Sequence, residues 1–220
     1  MTGIRIQQRE ATRGKILKTA RRLFLGANFN QVGVREIAAE SGVATGTVIA
    51  AFGSKADLLN AIVIQDLEVQ LPLMEAAASE YSGTCDRIRA ACLACVTYQA
   101  HQIAIIRAIM ADAWTRSDEA ESRVRVALKP LVALLMHEME LGVLRGEVQF
   151  GLDLKLVSVM ILETVSNTYR IPVYNAASGA PDLSAILTSR LNLLLRGVCV
   201  QIQGAEQAPA PRLANAHSAF

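Results

Sequence analysis

The chain has 220 residues, 52% of them apolar but only 5% aromatic, a balance that favours packed helices over a β-rich or disordered protein. Formal charge is +2, yet residues 1–60 carry 9 Lys/Arg against 4 Asp/Glu while residues 61–220 carry 13 against 16, so a polyanion partner is expected at the front. The polar opening 1-MTGIRIQQREATRGK-15 does not read as a signal peptide, and the apolar stretches fall short of the ~18 residues of a membrane span. No membrane partner and a cytoplasmic location are therefore expected, with the four cysteines (Cys85, Cys92, Cys95, Cys199) as free thiols.

A first helix is predicted from about Gln8 to Leu25, with Ile16, Leu17, Ala20, Leu23 and Phe24 as its apolar stripe and Arg13, Lys15, Lys18, Arg21 and Arg22 around it. Gly26-Ala27-Asn28 stops it, Asn28 in a left-handed conformation. A second helix runs from Val34 to about Ser41 after Gly33 as N-cap, and Gly42 supplies the positive φ that ends it tightly. A third, short helix spans Ala44 to Ala51. Ser54 caps a long fourth helix from Lys55, which Pro72 should kink or break. Further helices are predicted at 84–100, 103–114, 118–128, 130–144, 153–175 and 182–203, with Lys129-Pro130 as one of the breaks. The tail 204-GAEQAPAPRLANAHSAF-220 reads as disordered.

In 37-IAAESGVATGTVIAAFGSKADLL-59, Ile37, Ala38, Val43, Val48 and Phe52 can form a small core while Gly42 allows a sharp turn. That is the recipe of a helix-turn-helix, whose second helix enters the DNA major groove. With Val48 inward, Thr45, Gly46, Ile49 and Ala50 face outward. So small a face lets the backbone approach base edges, a Thr hydroxyl bond a base, and methyl groups meet thymine methyls. Thr47 joins this candidate DNA-binding set, and Arg13, Arg35 and Lys55 are candidate phosphate contacts.

Ile16-Leu17, Ala20, Leu23-Phe24, Val34-Arg35-Glu36-Ile37-Ala38, Ser41-Gly42-Val43, Gly46-Thr47, Phe52, Ser54-Lys55 and Leu58-Leu59 follow one another in order and spacing. Over residues 12–59 the chain resembles the DNA-binding domain of TetR/AcrR-family transcriptional regulators. Further on, 141-LGVLRGEVQFGLD-153 resembles a turn common in that family. The resemblance implies an all-α protein: a three-helix helix-turn-helix head joined to a larger helical effector-binding and dimerisation body. The corresponding divisions are 8–54, 55–203 and a tail at 204–220. It implies a regulator, most often a repressor, that binds palindromic double-stranded operator DNA as a homodimer and is released by a small, largely apolar effector. The chain departs from the family pattern in lacking a tyrosine near Ile49, an aromatic or His near Ala51, and a Thr or Ser near Gly33. These three polar phosphate contacts are worth ~1 kcal/mol each, a loss that the basic residues of 5–22 can offset at long range.

The predicted dimer surface is the stripe Leu183, Ile186, Leu187, Leu191, Leu194, Leu195 and Val198 of the last helix, which with its neighbour would form a four-helix bundle across two subunits. The alternative is that these residues close the subunit's own core. Effector-pocket candidates are Tyr98, His101, Met110, Trp114, Met136, Met160, Glu163 and Asn167. Glu163 and Asn167, four apart on one face, need polar partners in a pocket or across a dimer. Cys92-x-x-Cys95 invites a thiol- or metal-responsive reading, but no second ligand pair has suitable spacing, and buried packing is the commoner role. Neither a metal nor a cofactor is expected. Motifs for nucleophilic, phosphate-loop or zinc-hydrolase chemistry are missing, so an enzyme is not expected. The rival from another class is a dimeric small-molecule-binding or interaction module on the same scaffold with weak or no DNA binding.

Overall fold

The computed structural model describes residues 2–27, 29–112, 117–174 and 182–200. In chain order these form α1 (Thr2–Gly26), α2 (Val34–Glu40), α3 (Thr45–Phe52), α4 (Lys55–Ser79), α5 (Thr84–Ala100), α6 (Ile103–Asp112), α7 (Asp118–Leu144), α8 (Leu154–Tyr174) and α9 (Leu183–Arg196). The fold is all-α, a helix-turn-helix head on a larger helical body. No single described helix is long and apolar enough to cross a membrane.

Two apolar cores result. The head core gathers Ile16, Ala20 and Phe24 of α1 with Val32, Ile37, Ala38 and Val48, as the 3.6-residue periodicity of α1 requires. It is completed by Leu58, Leu59 and Ile62 of α4 and by Ile105 and Ala108 of α6. The body core continues along α4 with Leu67, Met74 and Ala78 and takes in α5, α7, α8 and α9. Helix α4 thus belongs to both cores.

Several expectations need correcting. Pro72 and Pro130 break nothing: α4 and α7 run through them. Both prolines are exposed, as are Glu68 and Val126 four residues earlier, so water reaches the carbonyls that a backbone N–H would have met. The segments 118–128 and 130–144 are therefore one helix. The last helix stops at Arg196, and Val148 and Cys199 instead form an isolated antiparallel bridge. Cys85 and Cys199 are not free thiols but a disulfide, Cα–Cα 6.6 Å, tying the start of α5 to the chain beyond α9. Leu183, Leu187, Leu191, Leu195 and Val198 do not form an outer dimer stripe. All are 9% exposed or less and lie in the subunit's own core, because α9 turns that face onto α5 and α8. Ile186 and Leu194 are half-buried beside them. Asn28 and the tail 204–220 lie outside the described residues.

Two contacts bind α7 to α5. Arg87 donates to both carboxylate oxygens of Glu138, at 2.6 and 2.7 Å. Gly142 lets the helices close up, since a Cβ there would meet Thr84 Oγ1 and Val148 Cγ2 at 2.6 Å. Glu147 then accepts from the Thr84 N–H and hydroxyl, at 2.8 and 2.6 Å.

Gly142→Ala is expected to cost about 1–3 kcal/mol by overpacking, read from the urea midpoint. The hydrogen bonds from Arg87 hold the Glu138 carboxyl below the ordinary glutamate range. A depressed carboxylate contributes its stability above the unfolded-state pKa and loses it as pH falls through the folded one. Thermal stability should therefore drop below roughly pH 4.3, the ordinary value, and Glu138→Gln should lose much of that pH dependence. At neutral pH this substitution should cost near the lower end of about 3–5 kcal/mol, because Arg87 keeps the Tyr81 carbonyl.

Candidate nucleic-acid interface

The turn between α2 and α3 is built as its residues dictate. Ser41 is fully buried and its hydroxyl donates to the Ile37 carbonyl at 2.5 Å. Gly42 follows at φ +64, a conformation that L side chains rarely adopt, and Val43 N–H returns to the Ala38 carbonyl at 3.0 Å. Glu36 closes the start of α2 by accepting from the Gly33 N–H. Helix α3 then buries Val48 at 2% exposure and leaves Thr45, Gly46, Thr47, Ile49 and Ala50 exposed, Ile49 at 44%. The bare outward face expected from the sequence is present.

The three candidate cations divide. Arg35 is exposed in the first turn of α2, where a phosphate can reach it. Arg13 is occupied inside the head: it donates to the Ala51 carbonyl at 2.6 Å and lies 4.1 Å above the Phe52 ring. Lys55 is also occupied, donating to the Phe29 and Val32 carbonyls at 2.9 and 3.1 Å and stacking on Phe29. Both hold the end of α3 and the α1–α2 connection in place. Between α1 and α3 lies a cleft of about 320 Å³ lined in part by Gln8, Arg9 and Thr12. Sequence reading passed over these donors because they precede the core stripe of α1; only the basic character of the segment signalled them.

The effector candidates are not brought together. Tyr98 is half-buried at the junction between head and body. His101 is exposed and caps α5, its Nδ1 3.0 Å from the Thr97 carbonyl. Met110 and Met136 are half-buried on α6 and α7. Met160, Glu163 and Asn167 lie on the exposed face of α8, with Arg170 donating to Asn167. Trp114 lies outside the described residues. Cys92 and Cys95 are buried, and burial pushes both thiols up, Cys95 to about 12. Protonated and walled off, they suit neither metal ligation nor fast oxidation. Among the described residues no three His, Cys, Asp or Glu side chains converge as a metal site.

A polar junction that sequence reading missed joins head to body. Asp66 of α4 is 3% exposed, and its Oδ1 accepts from Arg21 Nη1 of α1 and from the Tyr98 hydroxyl of α5, each at 2.6 Å. Arg21 also donates to the Ile62 carbonyl and to Gln65 and Gln102. Burial and the Asp66 hydrogen bond push the Tyr98 hydroxyl up to about 12. A polar residue on an apolar helix face was the available signal: Asp66 falls in the stripe Ile62, Asp66, Leu67, Gln70, Met74.

Residues 16–62 match the family described as bacterial regulatory proteins, tetR family. Over 186 residues the chain is 25% identical to the fatty acid metabolism regulator protein of Bacillus subtilis (strain 168), covering 84% of this chain and 94% of that one. The crystal structure of the transcriptional regulator FadR from Bacillus subtilis in complex with stearoyl-CoA aligns with TM-score 0.68 at 25% identity, over 83% of this chain and 97% of that chain. The ketosteroid transcriptional regulator KstR2 of Mycobacterium tuberculosis aligns with TM-score 0.60 at 19% identity, over 86% and 95%, a likeness of fold alone.

Gly46 has open space around the position of a Cβ, so Gly46→Leu should leave the melting temperature nearly unchanged. By lifting α3 off the groove floor it should weaken DNA binding at least about tenfold. Arg35→Ala should weaken binding to all sequences alike and reduce the salt slope by about one. Electrophoretic titrations at several salt concentrations read both.

Proposed function

We propose that the chain is a transcriptional regulator of the TetR family and acts as a repressor: a homodimer that holds palindromic operator DNA and lets go when a long-chain acyl thioester binds its body. The observation that carries the DNA half is the exposed, side-chain-poor face Thr45–Ala50 on a helix fixed by Ser41, Gly42 and Val48. The acyl half rests on the B. subtilis relative, a fatty acid metabolism regulator by name, whose solved structure holds stearoyl-CoA. The acyl chain of such a thioester agrees with the largely apolar effector expected from the sequence, while its coenzyme A end is larger and more polar than that expectation.

Dimerisation is supported by the outer faces of α8 and α9 and the chain just beyond α9, where Leu156, Met160, Leu193 and Val200 are between 44% and 71% exposed. Glu163 and Asn167 share the α8 face and suit the polar rim of such an interface. In this reading two heads meet successive major grooves. Effector binding favours a geometry in which they do not, and the shift is limited by the effector's preference for that state. The junction at Asp66 gives the change a route, since a movement of α4 against α5 is felt by Arg21 and hence by α1. The rival module without DNA binding draws support from Arg13 and Lys55, whose charges are occupied within the head.

The test is fluorescence anisotropy of the full chain on tiled DNA from its own upstream region, at two salt concentrations, with and without stearoyl-CoA. Expected is selective, salt-sensitive binding that stearoyl-CoA weakens at least about tenfold, a coupling of typical size. Weak, unselective binding on every tile would favour the rival module. Selective binding indifferent to stearoyl-CoA would overturn the acyl effector and leave the operator reading standing.

A further inference from the structure

Asp66 and Gln70 lie one turn apart on the buried face of α4, and Tyr98 and Cys95 one turn apart on α5. They meet as two polar rungs: the Tyr98 hydroxyl donates to Asp66 at 2.6 Å and the Cys95 thiol to Gln70 Oε1 at 2.7 Å. The first rung is completed by Arg21. The second is not. Gln70 is 1% exposed and its Nε2 has no partner. The Cys95 thiol donates to the amide oxygen, which turns the NH2 away from it.

A buried amide N–H2 left without an acceptor is costly, and native proteins keep such groups where something else completes them. The environment suggests what does. Leu67 and Met74 flank Gln70 on the same face of α4, and the same core holds Val96 of α5 and Val165 and Tyr169 of α8. Tyr169 packs against the same core as Cys95, and α8 lies against α5. The Tyr169 hydroxyl is engaged by Ser166, so the Gln70 amide is the donor left over. A ligand completing this site needs one hydrogen-bond acceptor at the end of a hydrocarbon chain.

We propose that Gln70 Nε2 is the donor that holds the acyl carbonyl of the effector, with the hydrocarbon chain received among α4, α5 and α8. This assignment rests on the acyl reading above. It also places the carbonyl one turn of α4 from Asp66, so that the group recognised and the junction to the head share one helix.

Two probes of equal chain length separate the carbonyl from the rest of the molecule: stearoyl-CoA, a thioester, and S-octadecyl-CoA, a thioether without the carbonyl. Calorimetric titration of the full chain is expected to give roughly tenfold tighter binding of the thioester, the scale of one hydrogen bond. Gln70→Leu and Gln70→Met should bind both probes alike, at the thioether's affinity. Both variants should melt no lower than wild type, because the group removed is unpaired; Gln70→Met preserves length and flexibility should Gln70→Leu fold poorly. Variants that keep the thioester preference would overturn the assignment. Wild type that binds neither probe would overturn the acyl reading itself, and the assignment with it.

Discussion

Asp66 is a carboxylate at 3% exposure, and a buried carboxylate is costly unless donors meet it. Arg21 comes from the head and Tyr98 from the body, so the requirement of one side chain orients two structural units. The apolar packing agrees with it. Leu58, Leu59 and Ile62 face the head core, Leu67 and Met74 the body core, and Asp66 sits at the seam. Removing Arg21 would leave the carboxylate without its counter-charge, and removing Tyr98 would cost it one hydrogen bond.

The head divides its basic residues between building and binding. Arg13 and Lys55 saturate carbonyls and lie against aromatic rings, holding α3 and the connection before α2 in fixed relation. Arg35 stays exposed, and Gln8 and Arg9 line the cleft beside α3. Long-range attraction depends on net charge rather than on which cation makes contact, so the excess at the front survives this division. The recognition surface itself contributes little charge; its asset is closeness of approach.

Local rules made much of this legible. Gly42, Ser41 and Val48 dictate the helix-turn-helix because turn geometry and burial are decided within a few residues, and the start of α5 at Thr84 and of α4 after Ser54 follow from caps and breakers. Pro72 and Pro130 were misleading because a helix survives proline wherever water reaches the freed carbonyl, and exposure is a tertiary fact. The α9 leucines were misleading for a related reason: an apolar stripe declares that it will be buried, not against which chain. The Ala51 and Phe29 carbonyls that Arg13 and Lys55 reach are not legible in the sequence, because they lie 38 and 26 positions away. Asp66 and Gln70 carried a readable signal, polar residues at core positions, but Cys95 and Tyr98 as their partners depend on the register of α4 against α5. Cys85 and Cys199 stand 114 positions apart, beyond any spacing argument.

That last pairing changes the covalent topology of the body. From Cys85 to Cys199 the backbone is a closed ring that includes α6, α7, α8 and nearly all of α5, with α9 as its final arc. A single peptide cleavage anywhere on the ring opens it without releasing a fragment, and both pieces stay joined until the sulfur–sulfur bond is reduced. Only α1 to α4 and the residues after Cys199 can be separated by one cut. The helix-turn-helix head is thus attached as an open end to a body that is circular.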